Sequence, residues 1–273
     1  MVYLLFSLCL GIVVGSFLNC LIWRLHKKQT IMGRSYCPQC QRQIIWYDNI
    51  PLLSFLFLKG KCRHCQIRIS WQYPIVELVT GLLFALAWYF NFGLIDPTQL
   101  LTLNFELLTT LRDWFLISVM IVVFIYDLRW YLILDIVTLP SALIIFILNV
   151  VIYNFQCNQY SSCASQWSGL VISGIIGGSF FLIQFLISRG RWIGGGDIRL
   201  GLLMGLALGW PYILLALFIA YISGSVVGLS LIGFGKKSWG SKVPFGVFLS
   251  SATIATLFLG ERILSWYLNL LNF

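Results

Sequence analysis

Residues 1–23 carry no charged side chain, and uncharged runs of similar length recur along the rest of the chain. A helix of 23 residues rises more than the roughly 30 Å of a bilayer's hydrocarbon layer. Inside that layer the backbone must satisfy its own hydrogen bonds, so runs of this kind can fold only as helices. No basic segment precedes the first run and no small-residue cleavage site follows it. It therefore reads as a retained span and not as a removable signal. Composition agrees. Charged residues are 10% of the chain and hydrophobic ones 59%, with a mean hydropathy of +0.90, against about 25% charge in a soluble domain. The fold class expected is an all-α polytopic membrane protein.

Hydropathy places about eight transmembrane helices, near 2–23, 75–95, 107–127, 136–155, 168–188, 198–215, 218–235 and 244–267. The stretch 200–235 is 36 uncharged residues, readable as one tilted span or as two short ones turning near Trp210-Pro211. Charge decides between these. With eight spans and the N-terminus outside, 16 of the 18 Lys and Arg fall on one side, and only Arg112 and Arg262 fall opposite. A seven-span arrangement breaks this pattern after Arg199. Lys and Arg in short loops mark the cytoplasmic side, so the basic side is cytoplasmic. The same distribution explains the net charge of +9 without nucleic acid, since no basic stripe interleaved with aromatics lies outside the loops.

The one sizeable polar segment is 24–74, a cytoplasmic loop. It holds Cys37-Pro38-Gln39-Cys40 and Cys62-Arg63-His64-Cys65, two C-x2-C pairs with 21 residues between them. Four thiolates at this spacing suit a structural zinc ion held tetrahedrally, with no open position for catalysis. The halves also repeat at an offset of 25: Cys37, Cys40, Gln41, Ile44 and Trp46 match Cys62, Cys65, Gln66, Ile69 and Trp71. The alternatives are two disulfides, which a cytoplasmic setting disfavours, or four free thiols, which need no spacing. His64 is read as a surface histidine. Cys157 and Cys163 share a predicted outer loop, with a disulfide left open, and Cys9 and Cys20 are read as apolar packing residues of the first span.

Only nine Asp and Glu are present, and a carboxylate at membrane depth is a functional candidate by default. Asp127 closes the third span and Asp197 opens the sixth, 70 residues later. The charge-derived topology puts both at the cytoplasmic boundary. Two carboxylates brought together in a low-dielectric site share one proton. The ionised one can then draw a proton from water while the other supports a peptide carbonyl. Asp197 follows Gly194-Gly195-Gly196, where glycine permits unusual φ values and close backbone approach. The Lys-Ser/Thr ending of a phosphate loop is missing, and neither H-E-x-x-H nor G-x-S-x-G occurs. A proton-coupled transporter would show inverted repeats, and the repeat found is confined to the cysteine segment. Asp135 is read as a cap of the fourth span. Glu77 is either functional or a buried carboxylate paired with a loop arginine.

These residues resemble bacterial type IV prepilin peptidases. The likeness runs through Gly15-Ser16-Phe17-Leu18-Asn19 with Arg24, Arg34-Ser35-Tyr36-Cys37-Pro38, Trp46-Tyr47-Asp48-Asn49-Ile50-Pro51 and Tyr73-Pro74-Ile75-Val76-Glu77-Leu78. It continues through Tyr126-Asp127, Thr138-Leu139-Pro140, Gly194-Gly195-Gly196-Asp197 and Pro244-Phe245-Gly246. The resemblance implies a GxGD-type aspartic endopeptidase of the bacterial inner membrane, active at the cytoplasmic face in type IV pilus or type II secretion systems. Its substrates would be prepilins or pseudopilins, cut after a glycine that ends a basic leader. Catalysis would fall to Asp127 and Asp197, with Gly194 and Gly196 shaping the supporting loop. Many members also methylate the new N-terminus with S-adenosylmethionine, and Glu77 is the candidate here for that region or for gripping the new amine. The implied domains are a first helix at 1–23, a zinc module with the possible methyltransferase region at 24–74, a second helix with its outer loop at 75–106, and a six-helix peptidase at 107–273. Two departures stand out. Ile133-Leu134-Asp135 replaces the usual Leu-Pro-Asp, and Arg199 replaces a common Lys, keeping charge but not geometry.

Overall fold

The computed structural model describes residues 1–93, 104–159, 164–235, 238 and 243–271. The chain forms two compact units, Met1–Gln99 and Leu100–Phe273. Every regular element among the described residues is helical, apart from two isolated β-bridges. Among the described residues, seven helices are long and apolar enough to cross a membrane.

In the first unit, α1 (Val2–His26) and α3 (Gln72–Phe92) pack side by side, and α2 (Leu53–Phe57) is a short turn between them in sequence. Lys28 at φ 53° leads the chain out of α1, and Gly93 at φ 63° closes α3, a conformation glycine adopts freely. Apolar side chains gain nothing by leaving lipid for one another, so membrane helices associate through small residues that let backbones approach. Gly11 and Gly15 do this on α1. A Cβ at Gly11 would lie 2.8 Å from the Gly81 Cα, and one at Gly15 would lie 2.8 Å from the Glu77 Cα. Cys20 is half-buried, but Cys9 is exposed. It does not pack in the pair, because its face of α1 has no partner in this unit.

The second unit contains α4 (Asn104–Trp130), α5 (Asp135–Gln159), α6 (Ala164–Ser188), α7 (Gly195–Leu208), α8 (Tyr212–Gly233) and α9 (Phe245–Leu270). Helix α7 is central. It packs on α5, α6 and α9, and Leu200, Leu203, Met204 and Ala207 enter the core with Met120, Ile145, Phe181 and Leu249. Its contact with α6 again depends on small residues. A Cβ at Gly201 or Gly205 would collide with the Gly177 or Ser173 carbonyl, and the Ser173 hydroxyl donates to the Gly205 carbonyl at 2.9 Å. Buried Asn149 on α5 donates to the Leu206 carbonyl (2.7 Å) and accepts from Arg112 (3.0 Å), which also pairs with Asp113 at 2.6 Å.

The long uncharged stretch does turn near Trp210-Pro211. Gly209 at φ 74° ends α7, and α8 starts at Tyr212. Helix α7 has 14 residues, a rise of about 21 Å. It is shorter than the expected sixth span because the glycine-proline break comes early and neighbouring helices cover it. Cys163 and the side chain of Cys157 lie outside the described residues, and so does the disulfide left open between them.

The α1–α3 contact yields a test. Gly15→Leu should force the pair apart and lower the unfolding midpoint in detergent, by the equivalent of about 1–3 kcal/mol expected of overpacking. Gly228→Ala on α8, where an added Cβ meets nothing within 4 Å, should leave the midpoint in place.

Candidate functional site

Asp127 sits three residues before the end of α4, and Asp197 lies in the first turn of α7. Both are buried, at 5% and 8% exposure. A carboxylate in such a place needs donors, and in both cases the donors are backbone N–H groups left unpaired at a helix start. The Asp127 Oδ2 accepts from Val247 N–H at 3.2 Å, in the first turn of α9. The Asp197 Oδ2 accepts from Gly194 N–H at 3.0 Å, and Asp197 N–H returns a bond to the Gly194 carbonyl at 3.1 Å. Asp197 therefore supplies the side-chain half of a capping box on its own helix, the other half being the Gly194 backbone carbonyl because glycine has no side chain to give.

Ile133 joins the two positions. A Cβ at Gly196 would stand 2.8 Å from the Ile133 Cβ, and one at Gly246 would stand 3.1 Å from the Ile133 Cδ1 and 2.9 Å from the Asp127 Oδ2. Asp127 is also the charged group whose field reaches Asp197. Two carboxylates 70 residues apart in sequence thus flank one isoleucine.

Of the glycines of this loop, Gly196 is required by closeness and none by φ. None of Gly194, Gly195 and Gly196 has a positive φ, contrary to one part of the expectation. Gly194 contributes its N–H, Gly196 has no room for a Cβ, and Gly195 has nothing within 4 Å of one. Asp135 is not the residue preceding its helix but the first within it. Its carboxylate forms an ion pair with Arg199, which ties the start of α5 to the start of α7 across the Ile133 loop. Arg199, one of the two departures, is thus paired with Asp135, the part of the other motif that this chain keeps.

Some neighbours were not singled out in the sequence. Tyr221 on α8 lies within reach of the Asp197 charge, donates its hydroxyl to Gln184 Oε1 at 2.9 Å and stacks edge-on against Phe245 with centroids 5.0 Å apart. A lone phenol in an uncharged run was the available signal. Gly246 was visible only as part of a motif and Val247 not at all, because their contact with Asp127 spans more than a hundred residues.

In the first unit the four cysteines meet. The Sγ atoms of Cys37, Cys40, Cys62 and Cys65 all lie within 4.8 Å of one another, and those of Cys37 and Cys65 are 3.8 Å apart. Four sulfurs about 2.3 Å from a tetrahedral metal would be separated by about 3.8 Å, so the residues fit zinc. The sequence repeat is also a structural one. Tyr36 bridges Gln43 as Lys61 bridges Arg68. Cys37 N–H bonds the Arg42 carbonyl as Cys62 N–H bonds the Ile67 carbonyl, each at 2.9 Å, and Gln41 and Gln66 have φ of 55° and 56°. The N–H groups of Cys65 and His64 hold the Cys62 thiol down at about 7. At Cys65 the Ile67 N–H pulls the same way, but desolvation and the three neighbouring sulfurs push its thiol up to about 11. That opposition is what four crowded sulfurs do until a cation joins them. His64 stays exposed against Arg42. Asp48 makes a bidentate pair with Arg63 (2.8 and 2.6 Å) that holds its carboxyl below the usual range.

Glu77 is buried under the turn at Leu52, whose N–H donates to Oε2 at 2.8 Å, and it also takes the Ser16 hydroxyl. Its partners are a backbone N–H and a hydroxyl, not a loop arginine. Arg24 is occupied elsewhere, with its guanidinium enclosed by the carbonyls of Thr30, Ile31, Gly33 and Arg34.

The fit around Asp127 predicts that Gly246→Ala lowers the unfolding midpoint by the equivalent of about 1–3 kcal/mol, as overpacking does. Gly195→Ala, with open space at its Cβ, should leave the midpoint unchanged in the same thermal scan.

Comparison with known proteins converges on one group. A model of the bacterial peptidase A24 N-terminal domain matches residues 9–91, and a model of the type IV leader peptidase family matches residues 114–229. The chain is 31% identical over 284 residues to a prepilin leader peptidase/N-methyltransferase of Legionella pneumophila, covering 94% of this chain and 92% of that protein. It is 31% identical over 261 residues to the protein of that name from Bacillus subtilis, covering 95% and 96%. For the Vibrio cholerae protein of that name the figure is 33% over 234 residues, covering 81% and 85%. No solved structure matches the chain. With both domain models in register along it and relatives aligned over nearly its whole length, this chain belongs to the type IV leader peptidase family.

Proposed function

We propose that the chain is a membrane aspartic endopeptidase that removes the basic leader of type IV prepilins or pseudopilins at the cytoplasmic membrane face, with Asp127 and Asp197 as the catalytic pair. The observation that carries this reading is the convergence of two buried carboxylates on Ile133, each oriented by a backbone N–H at a helix start. Such a pair shares one proton. The ionised member takes a proton from the attacking water and the protonated member donates to the scissile carbonyl, so no covalent intermediate forms. Gly194 orients Asp197 through its N–H, and Gly196 keeps the loop against Ile133. The same-face placement follows from topology: α5 leaves the end of α4 and α6 returns to the start of α7.

On this reading the domains are 1–23, 24–74, 75–106 and 107–273. Eight crossings, α7 among them, leave the N-terminus outside and the basic loops in the cytoplasm of an inner-membrane protein. Zinc at Cys37, Cys40, Cys62 and Cys65 is structural, closing the two knuckles. The names of the relatives also support N-methylation, with S-adenosylmethionine as the implied donor. A cavity of about 280 Å³ lies in the first unit, lined by Arg24, Gln29, Thr30, Met32, Gly33, Arg34 and Tyr36. Its only charged side chains are cations, it is below the roughly 300–1,000 Å³ of usual ligand sites, and the donor brings a sulfonium cation. That cavity offers the sulfonium no carboxylate. Glu77 is our candidate for holding the new amine.

Asp127→Asn and Asp197→Asn should each reduce cleavage of a prepilin peptide by about a thousandfold or more with membrane insertion intact, followed by mass spectrometry of the products. Normal turnover by either variant would refute the pair. Chelating zinc, or acidifying until the thiolates are protonated, should unfold the knuckles. Exchange of the amides at 37–43 and 62–68 would then quicken, with slower loss of peptidase activity.

A further inference from the structure

Helix α2 buries none of its residues, although four of its five are apolar. Leu56 and Phe57 are 69% and 83% exposed, Leu53 is exposed beside them, and Trp71 is 70% exposed. An apolar cluster of this kind is a poor surface to leave in water. The turn is nevertheless well built. Phe55 points inward, with its ring 5.1 Å from that of Trp71 and 3.1 Å below the place a Cβ at Gly60 would take. Anchoring Phe55 is what turns Leu56 and Phe57 outward.

Two observations say what covers them. Trp71 is the residue before α3, and from it the exposed Ile75, Leu78, Val79 and Leu82 continue along that helix, which is among those able to cross a membrane. The apolar surface of the turn is thus continuous with the lipid-facing side of α3. The second observation is charge. Lys59 and Lys61 are exposed next to the turn, and 24–74 holds nine Lys and Arg against the single carboxylate Asp48, itself taken by Arg63. Aromatic and aliphatic side chains bordered by uncompensated cations, at the level where a helix enters lipid, match the interfacial layer of an anionic membrane.

We propose that α2 and Trp71 form a surface anchor that seats the cysteine module on the anionic headgroup layer of the bilayer α3 crosses, with Lys59 and Lys61 against lipid phosphates. The anchor adds a lipid contact to the Leu52–Glu77 bond that already ties this turn to α3.

The test uses the full-length protein in nanodiscs of zwitterionic and anionic phospholipid, with p-benzoylphenylalanine incorporated at position 57. Irradiation should yield an adduct with the mass of a phospholipid, in higher yield with anionic lipid and less at high salt. In parallel, the double variant Leu56→Glu, Phe57→Glu should exchange the Leu56 and Leu58 amides about tenfold faster than the unaltered protein. Its zinc content and α3 protection should be unchanged. An adduct formed only with a second copy or an added prepilin peptide would overturn the proposal in favour of a protein-docking surface. Unaltered exchange in the double variant, or no adduct at all, would overturn it outright.

Discussion

A carboxylate withdrawn from water inside a helical bundle must be met by donors, and the nearest ones are the unpaired N–H groups at helix starts. The second unit is arranged around this requirement. Asp127 reaches the first turn of α9, and Asp197 closes the start of its own helix, α7. Each contact ties a buried carboxylate to a helix terminus. The ends of α4, α7 and α9 are thereby held at one place, with Ile133 as the common wall. The Asp135–Arg199 pair secures the same corner from its exposed side.

The termini can be positioned this closely because the helices themselves approach closely. Gly11 and Gly15 against α3, and Gly201 and Gly205 against α6, leave no room for a Cβ. In lipid, where apolar contact between helices competes with equally apolar acyl chains, such backbone proximity is the principal source of attraction. Gly196, just before Asp197, follows the same logic: its φ is not positive, and it is the wall at Ile133 that excludes a larger side chain there.

The cysteine module solves a different problem. A segment of this size with a single carboxylate and few buried apolar groups cannot hold a fold by burial alone. Two knuckles of matching hydrogen-bond pattern converge their sulfurs on one point, so that one ion can close both. Asp48 with Arg63 ties the intervening turn to the second knuckle, and Glu77 with the Leu52 N–H ties it to α3. That arrangement places α2 beside Trp71.

Much was legible in the residues alone. The uncharged runs dictated helices, because no other local structure satisfies its backbone in lipid. The spacing and offset repeat of Cys37, Cys40, Cys62 and Cys65 implied the knuckles, because short-range turns follow local sequence. The rarity of carboxylates singled out Asp127 and Asp197. Other features came only with the fold. That α7 is a short, enclosed helix, that Gly246 and Val247 receive Asp127, that Tyr221 stands near Asp197, and that Asp135 pairs with Arg199 all depend on which helix faces which. Hydropathy constrains how each segment meets lipid, but it is nearly blind to rotation and pairing. Those are decided by the fit of small residues and by the few polar groups that must find one another across the bundle.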